Sequence, residues 1–180
     1  MELKISTRQM LKILYVVSFI IFIGVCIEAG SFIFNAFFTL VINPKNAGYF
    51  GLSSLFEFDR GYFLVELFLM SVVAIMRAFL FYLIVKILHD KKLNMSQPFN
   101  KEFGRFIFHV AYLALGIGLF SNWGVNYTEW FVGQGVKMPD IQHLRLGGAD
   151  VWVFMGVTLF VIAHIFKRGI EIQSENELTI

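Results

Sequence analysis

Five ionisable residues stand inside long apolar stretches of the chain: Glu28, Glu66, Arg77, His109 and His164. A charge in hydrocarbon is costly unless it is paired or wet, so such residues mark ligand or ion sites, or structural pairs. Glu66 and Arg77 are eleven residues apart. On a helix they differ by roughly 20° in direction and share one face with Tyr62 and Val73. Counted by helical rise, Arg77 lies about 16 Å from the inner end of its helix at His89, and Glu66 about 33 Å. Glu28 lies about 24 Å above Lys12 on the preceding helix. These depths predict that Arg77 pairs with Glu28, and that Glu66 sits nearer the outer surface, meeting Arg60 or Arg145. The cluster of Glu28, Glu66 and Arg77 then has two readings. It lines a polar cavity that holds a ligand or passes an ion, or it is an ion pair that fixes helix register.

His109 and His164 stand at similar depth in different stretches, and two facing imidazoles can ligate a haem iron. Interfacial rings bonded to backbone or headgroups account for them more simply. Di-haem membrane cytochromes need two such pairs, and the chain has one. Asp140, His143 and Asp150 have the residue types of a metal site but no recognised ligand spacing. Cys26 is the single cysteine, which excludes a disulfide framework and dithiol redox chemistry. HExxH, GxSxG and phosphate-binding glycine loops are absent. The sequence therefore implies no catalytic residue, no metal and no cofactor, and an enzymatic activity is not expected.

The elements that must carry these residues follow from composition. Of 180 residues, 57% are hydrophobic and 16% charged, and Phe occurs 22 times; mean hydropathy is +0.69. A soluble domain of this size has too much polar surface for such a composition, and disorder is excluded by the same numbers. A helix crosses hydrocarbon with about 20 apolar residues. Four stretches qualify, at about residues 10–42, 61–88, 101–120 and 149–167. Helix is required because a lone span must satisfy its own backbone, and the apolar runs do not alternate as barrel strands do. The expected fold is an all-α bundle of four transmembrane helices forming one domain over residues 1–180. Outer loops cover 43–60 and 121–148, an inner loop covers 89–100, and a tail covers 168–180. Asn43-Pro44 stops the first helix, and Asn100 is placed to cap the third. The N-terminal run from Ile13 to Ile27 has the start of a signal peptide, but apolar sequence resumes at Phe32, so cleavage is not expected.

Lys and Arg set the direction of threading. Ten of them (Lys4, Arg8, Lys12, Lys86, Lys91, Lys92, Lys101, Arg105, Lys167 and Arg168) fall on one side, and four (Lys45, Arg60, Lys137 and Arg145) on the other. Both termini are therefore expected in the cytoplasm. The basic inner rim suits anionic lipid headgroups and is too short and too poor in aromatics for a nucleic-acid interface. An acidic tail, Glu171, Glu175 and Glu177, follows the last span. It is expected to fold back on Lys91, Lys92 or Arg105, or to dock a cytoplasmic regulatory protein. Oligomeric state is left open. Ala74-xxx-Ala78 and Ala114-xxx-Gly118 suggest close helix contacts.

Gly148-Ala149-Asp150 opens the fourth span, Arg168-Gly169-Ile170-Glu171 closes it, and the chain ends Glu175-Asn176-Glu177-Leu178-Thr179-Ile180. Gln97-Pro98-Phe99-Asn100-Lys101-Glu102 precedes the third span. This combination resembles the bacterial membrane family catalogued as domain of unknown function 2975, and the similarity in length and spans extends over nearly the whole chain. Phe103 stands where that family often has Asn. The resemblance implies a multi-pass protein of the bacterial inner membrane, and it carries no activity, cofactor or site residue. Genes of that family often lie beside a small helix-turn-helix regulator, which implies signalling. The leading expectation is thus a non-enzymatic membrane sensor or regulatory partner. A small channel or transporter lined by Glu28, Glu66 and Arg77 is the alternative, and a haem or quinone electron carrier the third.

Overall fold

The computed structural model describes residues 6–90 and 100–177. It is all-α, with no strand among the described residues. Helix α1 spans Thr7–Val41, and a 3-10 turn at Pro44–Phe50 leads into the short α2, Ser53–Phe58. Three long helices follow: α3 at Arg60–His89, α4 at Lys101–Gly133 and α5 at Ala149–Glu177. Four of the five α-helices, all but α2, are long and apolar enough to cross a membrane, and the chain is a multi-pass membrane protein.

Local chemistry sets the helix ends. Ser6 accepts the Gln9 amide while the Gln9 side chain accepts the Ser6 amide, a reciprocal cap that starts α1. Asn43 caps the 3-10 turn, its side chain accepting from the Lys45 amide, and Pro44 fixes φ at the turn's first residue. Asp59 accepts from the Tyr62 amide and starts α3. Asn100 caps α4 as expected, its Oδ1 accepting from the Phe103 amide at 2.6 Å.

Two helices run beyond the bounds read from hydropathy. The helix expected to end near Phe120 continues to Gly133. Ser121, Gly124, Thr128 and Phe131 are buried in that extension while Asn122, Asn126 and Glu129 are exposed. This is a helical stripe whose polar outer face lowers the average hydropathy. The last helix continues through the tail as a polar helix, past Glu171 and Gln173 to Glu177.

The long helices pack as the neighbours α1/α3, α3/α4 and α4/α5. No Cα of α1 lies within 8 Å of a Cα of α4 or α5. The bundle is therefore a row with two ends, and burial follows that order. In the most apolar stretch of each helix, 28% and 39% of residues are buried in α3 and α4, against 6% and 11% in α1 and α5. Between α1 and α3, Tyr15 meets His89 and Phe22 meets Tyr82. That antiparallel register puts Glu28 level with the helical turn that carries Arg77.

Helices in lipid gain nothing from mutual hydrophobic burial, so they associate through close van der Waals fit. Small residues provide that fit between α4 and α5. A Cβ on Gly118 would stand 3.0 Å from the Val153 amide nitrogen, and one on Gly156 would stand 2.8 Å from the Leu115 nitrogen. Ala111, Ala114 and Ala163 are fully buried. At the other extreme of the molecule from the termini, the 3-10 turn, α2 and the segment 134–148 form a cap. Leu52, Leu55, Leu144 and Leu146 from these segments are fully buried, together with Phe63 and Phe131 from the long helices. Phe56 packs on Phe63 and Phe58 on Phe131. Each such side chain contributes about 1.5 to 3 kcal/mol where the alternative is water.

Candidate functional site

The segment before α5 carries a charge to the open end of the row. Its turn is closed by the Asp140 carboxylate, which accepts the Gln142 amide at 2.7 Å, and by backbone bonds from His143 and Leu144 to the Asp140 carbonyl. Leu144 and Leu146 then insert fully into the bundle, Leu146 against Gly124. Arg145 between them has φ 60°, the only non-glycine residue in the left-handed region among the described residues. Such a backbone costs roughly 1–2 kcal/mol, offset here by the two leucines it lets bury. Its guanidinium reaches α1, with Nε 3.6 Å from Glu28 Oε1.

Arg77 completes the group. Its guanidinium carbon stands 5.6 Å from the centre of the Trp152 ring on α5, a cation–π arrangement. Its Nε is buried without a hydrogen-bond partner among the described residues. Glu28 attracts this charge and Arg145 repels it. Because Arg77 on α3 reaches α5, and Glu28 on α1 reaches the residues just before α5, the row is curved. Glu28, Arg77, Arg145 and Trp152 thus lie along the seam between α1 and α5. The set carries two cations and one anion.

This arrangement corrects the expected pairing. The ion-pair partner of Glu28 is Arg145, while Arg77 rests on an aromatic face. Glu66 meets neither Arg60 nor Arg145: Arg60 lies over the Phe56 ring. Glu66 is completely buried between α3 and α4, where Oε1 accepts the Thr128 hydroxyl at 3.0 Å. That hydroxyl also lies 2.9 Å from the Gly124 carbonyl. Glu66 Oε2 and the Ser121 hydroxyl are buried with no hydrogen-bond partner among the described residues. The three intramembrane charges thus divide into two places, Glu28 and Arg77 at the seam and Glu66 inside the α3/α4 interface.

Asn35 and Thr39, buried on α1, were not singled out by sequence. Asn35 donates to the Asn46 carbonyl at 3.2 Å and Thr39 lies 3.4 Å from Asn35 Oδ1. They tie α1 to the cap. With Ala29 and Phe32 they form a buried stripe at helical spacing, a signal legible in the chain. Trp152 had no comparable signal, and Arg145, expected as a partner of Glu66, reaches Glu28 instead.

His109 is exposed, and His164 packs on Phe108 and Phe160. Among the described residues no contact joins the two imidazoles. In the tail, Glu171 pairs with Arg168 of its own helix at 3.0 Å, and Arg105 is exposed on α4. Glu175 lies near the end of α5. Lys91 and Lys92 lie outside the described residues, as does the side chain of Glu177.

A family model described as "Protein of unknown function (DUF2975)" matches residues 50–180. The chain belongs to that family. The match begins at the end of the 3-10 turn and takes in α2 to α5, with α1 ahead of it. No curated protein and no solved structure matches significantly.

Proposed function

We propose that this DUF2975 member is a non-enzymatic sensor or regulatory partner of the bacterial inner membrane, with the cap outside and both termini in the cytoplasm. The observation that carries this reading is the charged seam at the unclosed end of the row. A ligand or force acting there meets α5 at Trp152, and α5 is one unbroken helix from Ala149 to Glu177. Its packing partner among the long helices is α4. A shift or rotation at its seam end is therefore transmitted to its far end without a hinge. The far end carries Arg168, Glu171 and Glu175 into the aqueous phase, where a soluble partner can read their position. The charge asymmetry of ten Lys and Arg against four supports this threading.

Transport is less well supported. On the terminal side of Arg77 the buried residues of α3 and α4 are apolar, among them Leu80, Ile87, Ile107, Val110 and Ala111. A conducting path needs polar groups or water through that depth.

Capture from native membranes in mild detergent tests the reading, comparing the full-length protein, a form lacking residues 175–180, and Arg145→Gln. A soluble partner that depends on the tail, and whose recovery changes when the seam charge is removed, is the expected result. If no soluble partner is recovered, or the truncated form recovers it equally, the reading fails. Ion flux in liposomes, with Glu66→Gln as control, then becomes the relevant assay.

A further inference from the structure

The seam has a definite chemistry, and it rests on the same site as the proposed function. Its polar lining has one cation more than it has anions: Arg77 and Arg145 against Glu28. The planar guanidinium of Arg77 carries five N–H donors, and its buried Nε–H is unpartnered. The Arg145 to Glu28 contact, at 3.6 Å, is long for a charged hydrogen bond and leaves the Arg145 side chain 61% exposed. Both arginines thus retain donors for a further acceptor. Trp152 forms the wall beneath Arg77. Leu159, two turns further along α5 on the same face, is half-buried. The seam therefore has a cationic upper part and an apolar lower part, and along it no Cα of α1 comes within 8 Å of a Cα of α5.

We propose that this seam binds an anionic phospholipid, its phosphate held between Arg77 and Arg145 and one acyl chain lying between α1 and α5 along Trp152 and Leu159. Phosphate oxygens match a guanidinium bidentately, and the acyl chain supplies the packing that α1 and α5 lack. Glu28 competes with the phosphate for Arg145. Lipid arrival exchanges one ion pair for another and brings the lipid against the first turns of α5. A zwitterionic lipid has no net charge to answer the extra cation, which is the source of selectivity.

Full-length protein in lipid nanodiscs, with Trp123→Phe and Trp130→Phe, leaves Trp152 as the sole tryptophan reporter. Quenching by brominated-chain phosphatidylglycerol is compared with quenching by brominated-chain phosphatidylcholine at equal mole fraction. The expected result is about a fivefold preference for the anionic lipid, the effect of one net cationic side chain. Arg77→Gln and Arg145→Gln should each reduce it towards parity. Arg145 is exposed, so that variant serves if Arg77→Gln does not fold. Equal quenching by the two lipids overturns the proposal, and so does a preference that survives both substitutions. Millimolar inorganic phosphate added to phosphatidylcholine discs supplies the other arm. A Trp152 emission change there assigns the site to a free anion and overturns the lipid, whereas no change supports it. Loss of the lipid preference with tail-dependent partner capture intact would remove the lipid and leave the regulatory reading standing.

Discussion

Arg145 and Glu28 join the two ends of the helix row, Nε to Oε1 at 3.6 Å, although no Cα of α1 lies within 8 Å of a Cα of α5. The link comes from a loop residue whose backbone is left-handed and whose neighbours on both sides are buried leucines. Burial of Leu144 and Leu146 fixes the backbone, and the backbone directs the arginine.

Arg145→Gly and Arg145→Ala separate the backbone from the charge. Both lose the ion pair, which is worth about 1 kcal/mol or less for groups this exposed. Glycine also relieves the left-handed backbone, whereas alanine retains it at a cost of about 1–2 kcal/mol. The glycine form should be the more stable of the two by about 1 kcal/mol in reversible unfolding from detergent. Equal stabilities would mean that Arg145 is not held at positive φ.

Close approach of α4 and α5 depends on two glycines. Gly118→Ala and Gly156→Ala should each destabilise by about 1–3 kcal/mol, since backbone atoms of the partner helix stand in the way. Gly24→Ala and Gly30→Ala meet nothing within 4 Å. They should be neutral or gain up to about 1 kcal/mol from helix propensity. Thermal melting of the four variants in one detergent distinguishes these outcomes. Similar melting temperatures for all four would argue against α4/α5 packing through small residues.

The Thr128 hydroxyl is the side-chain hydrogen-bond partner of the buried Glu66. Thr128→Val leaves both carboxyl oxygens unbonded and should cost about 1–3 kcal/mol. Glu66→Gln keeps an acceptor for the hydroxyl and should stay within about 1 kcal/mol of the parent. The order of the two unfolding midpoints is the measurement. A silent Thr128→Val beside a damaging Glu66→Gln would place the importance of Glu66 in its charge.

Asn35 holds the cap to α1 through the Asn46 carbonyl. Asn35→Ala should weaken that attachment by about 1 kcal/mol. The expected signature is faster hydrogen exchange across residues 43–52 with α4 and α5 unchanged. Uniformly faster exchange would show that Asn35 supports the whole bundle instead.

Much of this molecule is legible in its residues. Long apolar runs dictate helices because a lone span has no other way to satisfy its backbone in lipid. Asn43-Pro44 and Asn100 mark helix ends by local hydrogen bonding and φ restriction. The extension of α4 is also present in the chain, as the spacing of Ser121, Gly124, Thr128 and Phe131. A hydropathy average misses it because Asn122, Asn126 and Glu129 share those turns. Family membership is likewise carried by sequence alone, through residues 50–180.

Partnership between distant residues was not determined in this way. Depth along a helix follows from counting rise, and it places Glu28 and Arg77 at comparable levels. It does not say that Arg145 reaches Glu28 first, or that Trp152 receives Arg77. Those outcomes depend on the order of the helices in the row, set by glycine-sized fits between α4 and α5, and on a loop held by Leu144 and Leu146. Apolar runs and caps are local, readable from a window of residues. Helix order in lipid is a contest of packing among all the faces at once, and only the tertiary structure decides it.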